Sequence, residues 1–129
     1  MYQKYGSKIY FLTTGVVTSP LYPNFYPDNL DKTEKIGVES GQILKLEFTH
    51  FEIWTCGDIK NCPCDYIKII DGDGTTLMDK SCGYSNRHPT SSLYFVPPII
   101  TTRTNTVEIF FHTNDDYAQP GWNLTWTAI

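Results

Sequence analysis

The chain has 129 residues, a formal net charge of −4 at pH 7 and four cysteines. This length suits a single domain with its own core, which we expect to cover residues 1–129. The acidic balance and the lack of a basic stripe argue against nucleic-acid binding. No apolar stretch approaches the length of a membrane span, so we also expect no membrane-spanning segment.

Alternation of apolar and polar residues predicts β-strands along most of the chain, and no window has the spacing of an amphipathic helix. The short strand candidates are residues 9–12, 36–38 and 93–96. The longer candidates are residues 44–53, 65–70, 105–115 and 121–128. Pro and Gly clusters separate these segments. The pattern predicts an all-β fold, an antiparallel β-sandwich of two sheets.

The run Asp-Gly-Asp-Gly at 71–74 predicts that the strand over 65–70 ends in a tight turn, where glycine adopts positive φ at low cost. Ile67 and Ile69 lie on one face of that strand, and Tyr66 and Lys68 lie on the other. Cys82 follows Cys62 by 20 residues, about the length that the chain needs to turn back and be pinned to the strand.

The four cysteines indicate disulfides in a secreted module, because the CxxC pairs of a typical zinc site are missing. A bond between Cys62 and Cys64 is disfavoured, since residues at i and i+2 do not easily reach disulfide geometry. Two pairings remain open on this reasoning.

The order of five motifs resembles the CUB domain family. The motifs are TSPLYPNFYP at 18–27, LEFTHFEI at 46–53, CPCDYIKIIDG at 62–72 followed by SCG at 81–83, NTVEIFFHTND at 105–115, and GWNLTWTA at 121–128. The resemblance covers residues 7–129 and implies a jelly-roll-like sandwich of the CUB type in an extracellular protein. It also implies the disulfides Cys62 to Cys82 and Cys56 to Cys64. The chain departs from the family by lacking both cysteines of its usual first disulfide.

The resemblance further implies a calcium site at one end of the sandwich. Carried over by position, Tyr22 matches the family's supporting tyrosine and Asp65 matches one ligand carboxylate. The family's ligand glutamate falls on Trp54, and the nearest acid is Glu52. Its last ligand aspartate falls on Asn114, which is followed by the acidic residues Asp115 and Asp116. We therefore expect calcium, if bound, to use Asp65, Glu52, Asn114 and Asp116. The alternative is that Asp65 caps local backbone amides and that residues 114–116 form an acidic turn.

The function that the resemblance implies is extracellular protein recognition, with a partner's Lys or Arg approaching the calcium ligands. Trp54 and Tyr117 are candidate aromatic contacts for a partner, and a buried core role is the alternative for Trp54. The alternative is a carbohydrate-binding protein similar to the spermadhesins, using surface aromatics such as Trp54, Tyr84 or Tyr117. A structural spacer in a larger extracellular protein is a third interpretation.

Two further expectations concern modification and catalysis. Asn123, in the sequence Asn-Leu-Thr, is a candidate glycosylation site on the polar face of its strand. His50, His88 and His112 are scattered, and no catalytic motif accompanies them, so we expect no enzyme.

Overall fold

A computed structural model describes residues 2–5 and 8–129, with side chains from residue 11 onward. The strands within these residues are β1 (Tyr2–Tyr5), β2 (Lys8–Phe11), β3 (Thr14–Thr18), β4 (Asp31–Gly37), β5 (Leu44–Ile53), β6 (Tyr66–Asp71), β7 (Thr76–Ser81), β8 (Gly83–Tyr84), β9 (Ile100–Thr101), β10 (Thr106–His112) and β11 (Gly121–Ala128). In the described part of the chain, no helix is long and apolar enough to cross a membrane.

The strands form two antiparallel sheets, which confirms the predicted sandwich. One sheet has the order β4, β10, β6, β7, and the other has the order β3, β11, β5, β8, with β9 also pairing with β5. Strands β1 and β2 pair with each other. The long pairings join strands distant in sequence, as where β11 pairs with both β3 and β5.

The core lies between the two sheets and follows the alternation of the sequence. On β10 the residues Val107, Ile109 and Phe111 are buried, and the residues between them are half-buried. On β11 the indoles of Trp122 and Trp126 are buried, at 1% and 0% exposure. These inward faces belong to one cluster of buried apolar residues.

A β-bulge changes the alternation of β5 halfway along its length. Its pairing with β11 shifts register between Asn123 and Leu124, which lie opposite His50 and Phe48, respectively. Thr49 is therefore the extra residue on β5. Beyond the bulge, Phe51 is buried, whereas His50 and Glu52 are half-buried on the alternate positions. The bulge thus fixes which face of the sheet carries Glu52.

One predicted strand is not formed. Residues 93–96 make only an isolated bridge, between Tyr84 and Tyr94, and lie in a turn followed by extended chain. The turn over residues 88–93 comes just before this segment, and Pro97 and Pro98, which lack backbone N–H groups, come just after it. The segment is therefore too short to continue pairing.

Strand directions bring three loops to one end of the sandwich. The opening loop, residues 19–30, follows β3; the disulfide loop, residues 54–65, follows β5; and the acidic loop, residues 113–120, precedes β11. The registers place Thr18 opposite Asn123, Glu52 opposite Gly121, and Tyr66 opposite His112. We call these three loops together the loop end.

Two disulfides secure the disulfide loop. Cys56 bonds to Cys64 within the loop, and Cys62 bonds to Cys82 beyond β7, with Cα atoms 6.0 and 5.8 Å apart, respectively. These are the pairs that the family resemblance implied. The 20-residue separation of the second pair corresponds to about 3 kcal/mol in the chain-entropy estimate.

At the opposite end of the sandwich, Asp71 organises the turn between β6 and β7. Its carboxylate is 2% exposed and accepts hydrogen bonds from Thr104 Oγ1, Arg103 N and Gly72 N at 2.6, 2.7 and 2.7 Å. Burial would raise the pKa of Asp71, but these hydrogen bonds outweigh it and hold the pKa below its ordinary value. Gly74 takes φ +89° in the turn, as the sequence predicts.

Gly121 lets β11 begin directly against the opening loop, and we expect Gly121→Ala to destabilise the domain by about 3 kcal/mol or more. Its φ is +94°, and an added Cβ would overlap Ser19 Oγ. Gly41→Ala is the matched control, because Gly41 has φ +92° but open space around it. We expect the control to cost only about 1 kcal/mol. Urea unfolding measures both, and equal losses would contradict the steric explanation.

We expect Asp71→Asn to lose about 2 kcal/mol at pH 7, because charged hydrogen bonds are replaced by neutral ones. A carboxyl pKa that is lowered on folding adds stability above the unfolded-state value, about 4, and that stability disappears as the pH falls through the lower folded-state value. The difference between wild type and variant should therefore shrink on acidification from pH 7 towards pH 2. Urea titrations across this range measure it, and a constant difference would exclude the ionised carboxylate as the cause.

Candidate functional site

Asp65 lies at the centre of the loop end, where the disulfide loop enters β6. Its side chain is 0% exposed. The carboxylate accepts hydrogen bonds on both oxygens, from Tyr26 Oη to Oδ2 at 2.6 Å and from Asn114 N to Oδ1 at 2.9 Å. Burial raises the pKa of Asp65 above its ordinary value, although both hydrogen bonds act in the opposite direction. Asp65 therefore joins the opening loop to the acidic loop.

The Tyr26 hydroxyl extends this network to the end of β5. It accepts a hydrogen bond from Trp54 N at 3.0 Å while it donates to Asp65. Burial, followed by the hydrogen bond to Asp65, raises the pKa of Tyr26 above its ordinary value, so the hydroxyl keeps its proton. The Tyr26 ring packs edge-on against Phe111 in the core, with centroids 5.0 Å apart. We call Tyr26, Asp65, Trp54 N and Asn114 N the Asp65 network.

The two aromatic residues chosen from the sequence as partner contacts lie together. The rings of Trp54 and Tyr117 have centroids 5.0 Å apart and planes inclined at 59°. Tyr117 is 64% exposed, whereas Trp54 is half-buried and its indole N–H has no hydrogen-bond partner among the described residues. This aromatic pair is supported directly by the Asp65 network, because Trp54 N belongs to it.

The opening and acidic loops also carry exposed apolar and acidic side chains. Phe25 is 60% exposed and is held near the acidic loop, because Tyr26 N donates to Gln119 O at 3.1 Å. Asp28, Asp115 and Asp116 are also exposed in the opening and acidic loops. The loop end thus combines apolar contact area with negative charge.

The remaining calcium candidates have other partners. Glu52 Oε1 lies 2.6 Å from His50 Nε2, on the face that the bulge selects. Asn114 Oδ1 accepts a hydrogen bond from Asp116 N at 3.0 Å and so is turned into its own loop. Among residues 2–5 and 8–129, no group of three or more His, Cys, Asp or Glu side chains is placed to hold a metal ion.

The structure corrects two expectations about tyrosines. The tyrosine that contacts Asp65 is Tyr26, whereas Tyr22 packs against His50 with ring centroids 5.6 Å apart. Both tyrosines precede a proline in the opening motif, so the local sequence does not distinguish them. Tyr84, considered as a surface aromatic, is 2% exposed and lies beneath Arg87, whose guanidinium carbon is 4.5 Å from the ring centroid.

Asn123, the candidate glycosylation residue, lies in the middle of a sheet. It pairs with Thr18 on β3 and with His50 on β5, next to the bulge. The residue is half-buried, and its Oδ1 atom is buried without a hydrogen-bond partner in the described structure.

Comparison with known proteins gives the family. The sequence profile of the CUB domain matches residues 6–126. This chain belongs to the CUB domain family. Cubilin of Rattus norvegicus is 30% identical over 117 residues, and mannan-binding lectin serine protease 1 of Mus musculus is 33% identical over 116 residues. These matches cover 91% and 89% of this chain but only 3% and 15% of the relatives.

Solved CUB structures have the same fold. The MASP-1 CUB2 domain bound to Ca2+ superposes with a TM-score of 0.75 at 30% identity, covering 91% of this chain and 94% of that one. The CUB1-EGF-CUB2 fragment of human MASP-1/3 also gives a TM-score of 0.75, at 33% identity, over 92% of this chain and 40% of that one.

The oxygen donors of this chain do not fit a calcium ion. Calcium takes six to eight oxygens, with carboxylates supplying most of the charge. Here Asp65 is the one buried carboxylate in the network, and Glu52 and the side-chain oxygen of Asn114 are engaged with His50 and Asp116 N instead. An indole stands at the position of the family's ligand glutamate, and an amide stands at that of its last aspartate. The resemblance therefore extends to the fold but not to this donor set.

We expect Tyr26→Phe to destabilise the domain by about 3 kcal/mol, because it leaves Asp65 Oδ2 and Trp54 N buried without their partner. Tyr22→Phe is the matched control, since its ring keeps the contact with His50, and we expect a change below about 0.5 kcal/mol. Urea unfolding at pH 7 measures both. A larger loss of unfolding free energy for the Tyr22 variant would show that Tyr22, and not Tyr26, supports the loop end.

Proposed function

We propose that this chain is a single non-catalytic CUB module of an extracellular protein, and that it binds another protein through the loop end. CUB domains are a family of binding modules, and the two disulfides suit an oxidising compartment. The partner presents a Lys or Arg side chain. The aromatic pair and the neighbouring carboxylates are the surface that receives it.

The observation that carries this proposal is the placement of the Trp54 and Tyr117 rings on a rigid base. Interface hot spots are enriched in Trp and Tyr held in well-packed surroundings. Here the backbone under Trp54 is fixed by Tyr26 Oη, and the adjacent chain is closed by the Cys56 to Cys64 disulfide. The aromatic pair therefore loses little side-chain entropy on binding.

Charge selects the class of partner. Asp28, Asp115 and Asp116 place exposed carboxylates in the opening and acidic loops, so a basic partner gains electrostatic attraction as well as contact with the rings. A guanidinium or ammonium group over an aromatic face adds about 0.5–2 kcal/mol, depending on how far it is desolvated. The contact weakens as salt is added.

A glycan is the second candidate ligand, because an exposed aromatic ring also stacks against a sugar face. Tyr117, at 64% exposure, is the residue that favours this alternative. The third candidate is a calcium-dependent form of the protein contact. The MASP-1 CUB2 domain, a structural relative, was solved bound to Ca2+. All three candidate functions use the same loop end, and binding experiments distinguish them.

To test the proposal, the folded domain is screened against an array of purified extracellular proteins and against a glycan array, in calcium and in EDTA. Trp54→Ala combined with Tyr117→Ala is screened in parallel. We expect protein binders that the double variant loses at least about tenfold, because two aromatic contacts are removed. Binding should also fall between 50 and 300 mM salt.

Ile99→Ala is the matched control for loss of exposed apolar surface. Ile99 is 56% exposed and precedes β9, which pairs with the first residues of β5, about 26 Å along that strand from Trp54. Protein binders that the control loses and the double variant keeps would overturn the proposal. Glycan hits alone would establish the carbohydrate alternative. No hit on either array would leave the interpretation that the domain is a structural spacer.

A further inference from the structure

We infer that the loop end is held in its binding shape by the Asp65 network in place of a calcium ion, so that recognition through it is independent of calcium. This inference deepens the proposed function, because it concerns the regulation of the same site. It does not depend on which ligand binds there.

The network connects every segment that an ion at this position would have to connect. Asp65 stands at the start of β6, Tyr26 in the opening loop, Asn114 in the acidic loop, and Trp54 at the end of β5. Three hydrogen bonds of 2.6 to 3.0 Å join them. Asn29 N also donates to Asn114 O at 2.9 Å, which fastens the opening loop to the acidic loop a second time. These hydrogen bonds link the ends of the opening loop, the disulfide loop and the acidic loop to one another.

The second step concerns the oxygens near the network. Asn114 turns its backbone N–H towards Asp65, while its side-chain oxygen accepts from Asp116 N. Glu52 lies on the outer face of its sheet, against His50. A cation at Asp65 would share the two carboxylate oxygens with the hydrogen bonds from Tyr26 Oη and Asn114 N, and would find neither the Asn114 side-chain oxygen nor the Glu52 carboxylate turned towards it.

The third step concerns charge. A divalent cation binds more weakly to one buried carboxylate with neutral oxygens than to a site with several carboxylates, because ligand charge sets much of its affinity. Trp54 stands where the resemblance places a second carboxylate, and its ring packs against Tyr117 with centroids 5.0 Å apart. The same substitution that removes an ion ligand therefore supplies the binding surface, which explains why both features occur together.

The test is calcium titration by calorimetry on the oxidised wild-type domain, together with melting temperatures in 10 mM calcium and in EDTA. We expect no binding heat and melting temperatures equal within about 1 °C, since a site with a Kd near 0.1 mM would raise the melting temperature by several degrees at this concentration. The indole N–H resonance of Trp54 in an NMR spectrum should also be unchanged by calcium.

Wild-type binding with a Kd below about 1 mM that is lost in Asp116→Asn or Glu52→Gln would overturn the inference. Both substitutions lie outside the buried network, so a failure to fold does not obscure the result. Trp54→Glu combined with Asn114→Asp should gain calcium binding and a calcium-dependent melting temperature. Trp54→Gln combined with Asn114→Asp, which lacks the new carboxylate at position 54, should gain less. A double variant that folds but gains nothing would contradict the role given to these two positions.

The two proposals fail separately. Calcium titration involves no partner, so calcium binding by the wild-type domain contradicts only the inference about the ion. Protein binders that ignore the Trp54 and Tyr117 substitutions contradict only the proposed function. Partner binding that is equal in calcium and in EDTA, and is lost with the aromatic pair, agrees with both.

Discussion

The hydrogen bond from Tyr26 Oη to the buried carboxylate of Asp65 is the interaction on which the loop end depends. A carboxylate taken out of water needs strong donors, and Asp65 has two, one from each neighbouring loop. The same hydroxyl accepts from Trp54 N, so one buried tyrosine sets the position of the aromatic pair. The rest of the sandwich supports this arrangement by bringing the ends of β3, β5 and β10 to a common edge.

The two ends of the sandwich use buried aspartates differently. Asp71 receives three hydrogen bonds inside a turn, and they hold its pKa below the ordinary value. Asp65 is more thoroughly buried, and its pKa is raised despite two hydrogen bonds. The charge of Asp71 therefore stabilises the turn around it. The charge of Asp65 is destabilised by burial, and its hydrogen bonds to two distant loops offset this only in part.

Membership of the CUB domain family accounts for the scaffold, and the substituted residues account for what is particular to this chain. By the family resemblance, an indole and an amide stand where acidic calcium ligands are expected. The indole, Trp54, lies in contact with Tyr117, an exposed residue of the acidic loop. The calcium-independent recognition proposed above uses this aromatic surface.

The sequence by itself determined the sandwich, the family and all the expected strands except the one over residues 93–96, because alternation and motif order can be read directly from the chain. It named Trp54 and Tyr117 as separate candidate contacts, and the tertiary structure brings their rings together. The sequence did not distinguish Tyr26 from Tyr22, since both precede a proline and only the packing of Tyr26 against Phe111 turns one hydroxyl inward. The sequence likewise did not predict the bulge at Thr49, because the bulge arises from the register between β5 and β11. This bulge places Glu52 on the same face of the sheet as His50. Burial and register are properties of distant segments in contact, so only the tertiary structure decided which oxygens surround Asp65.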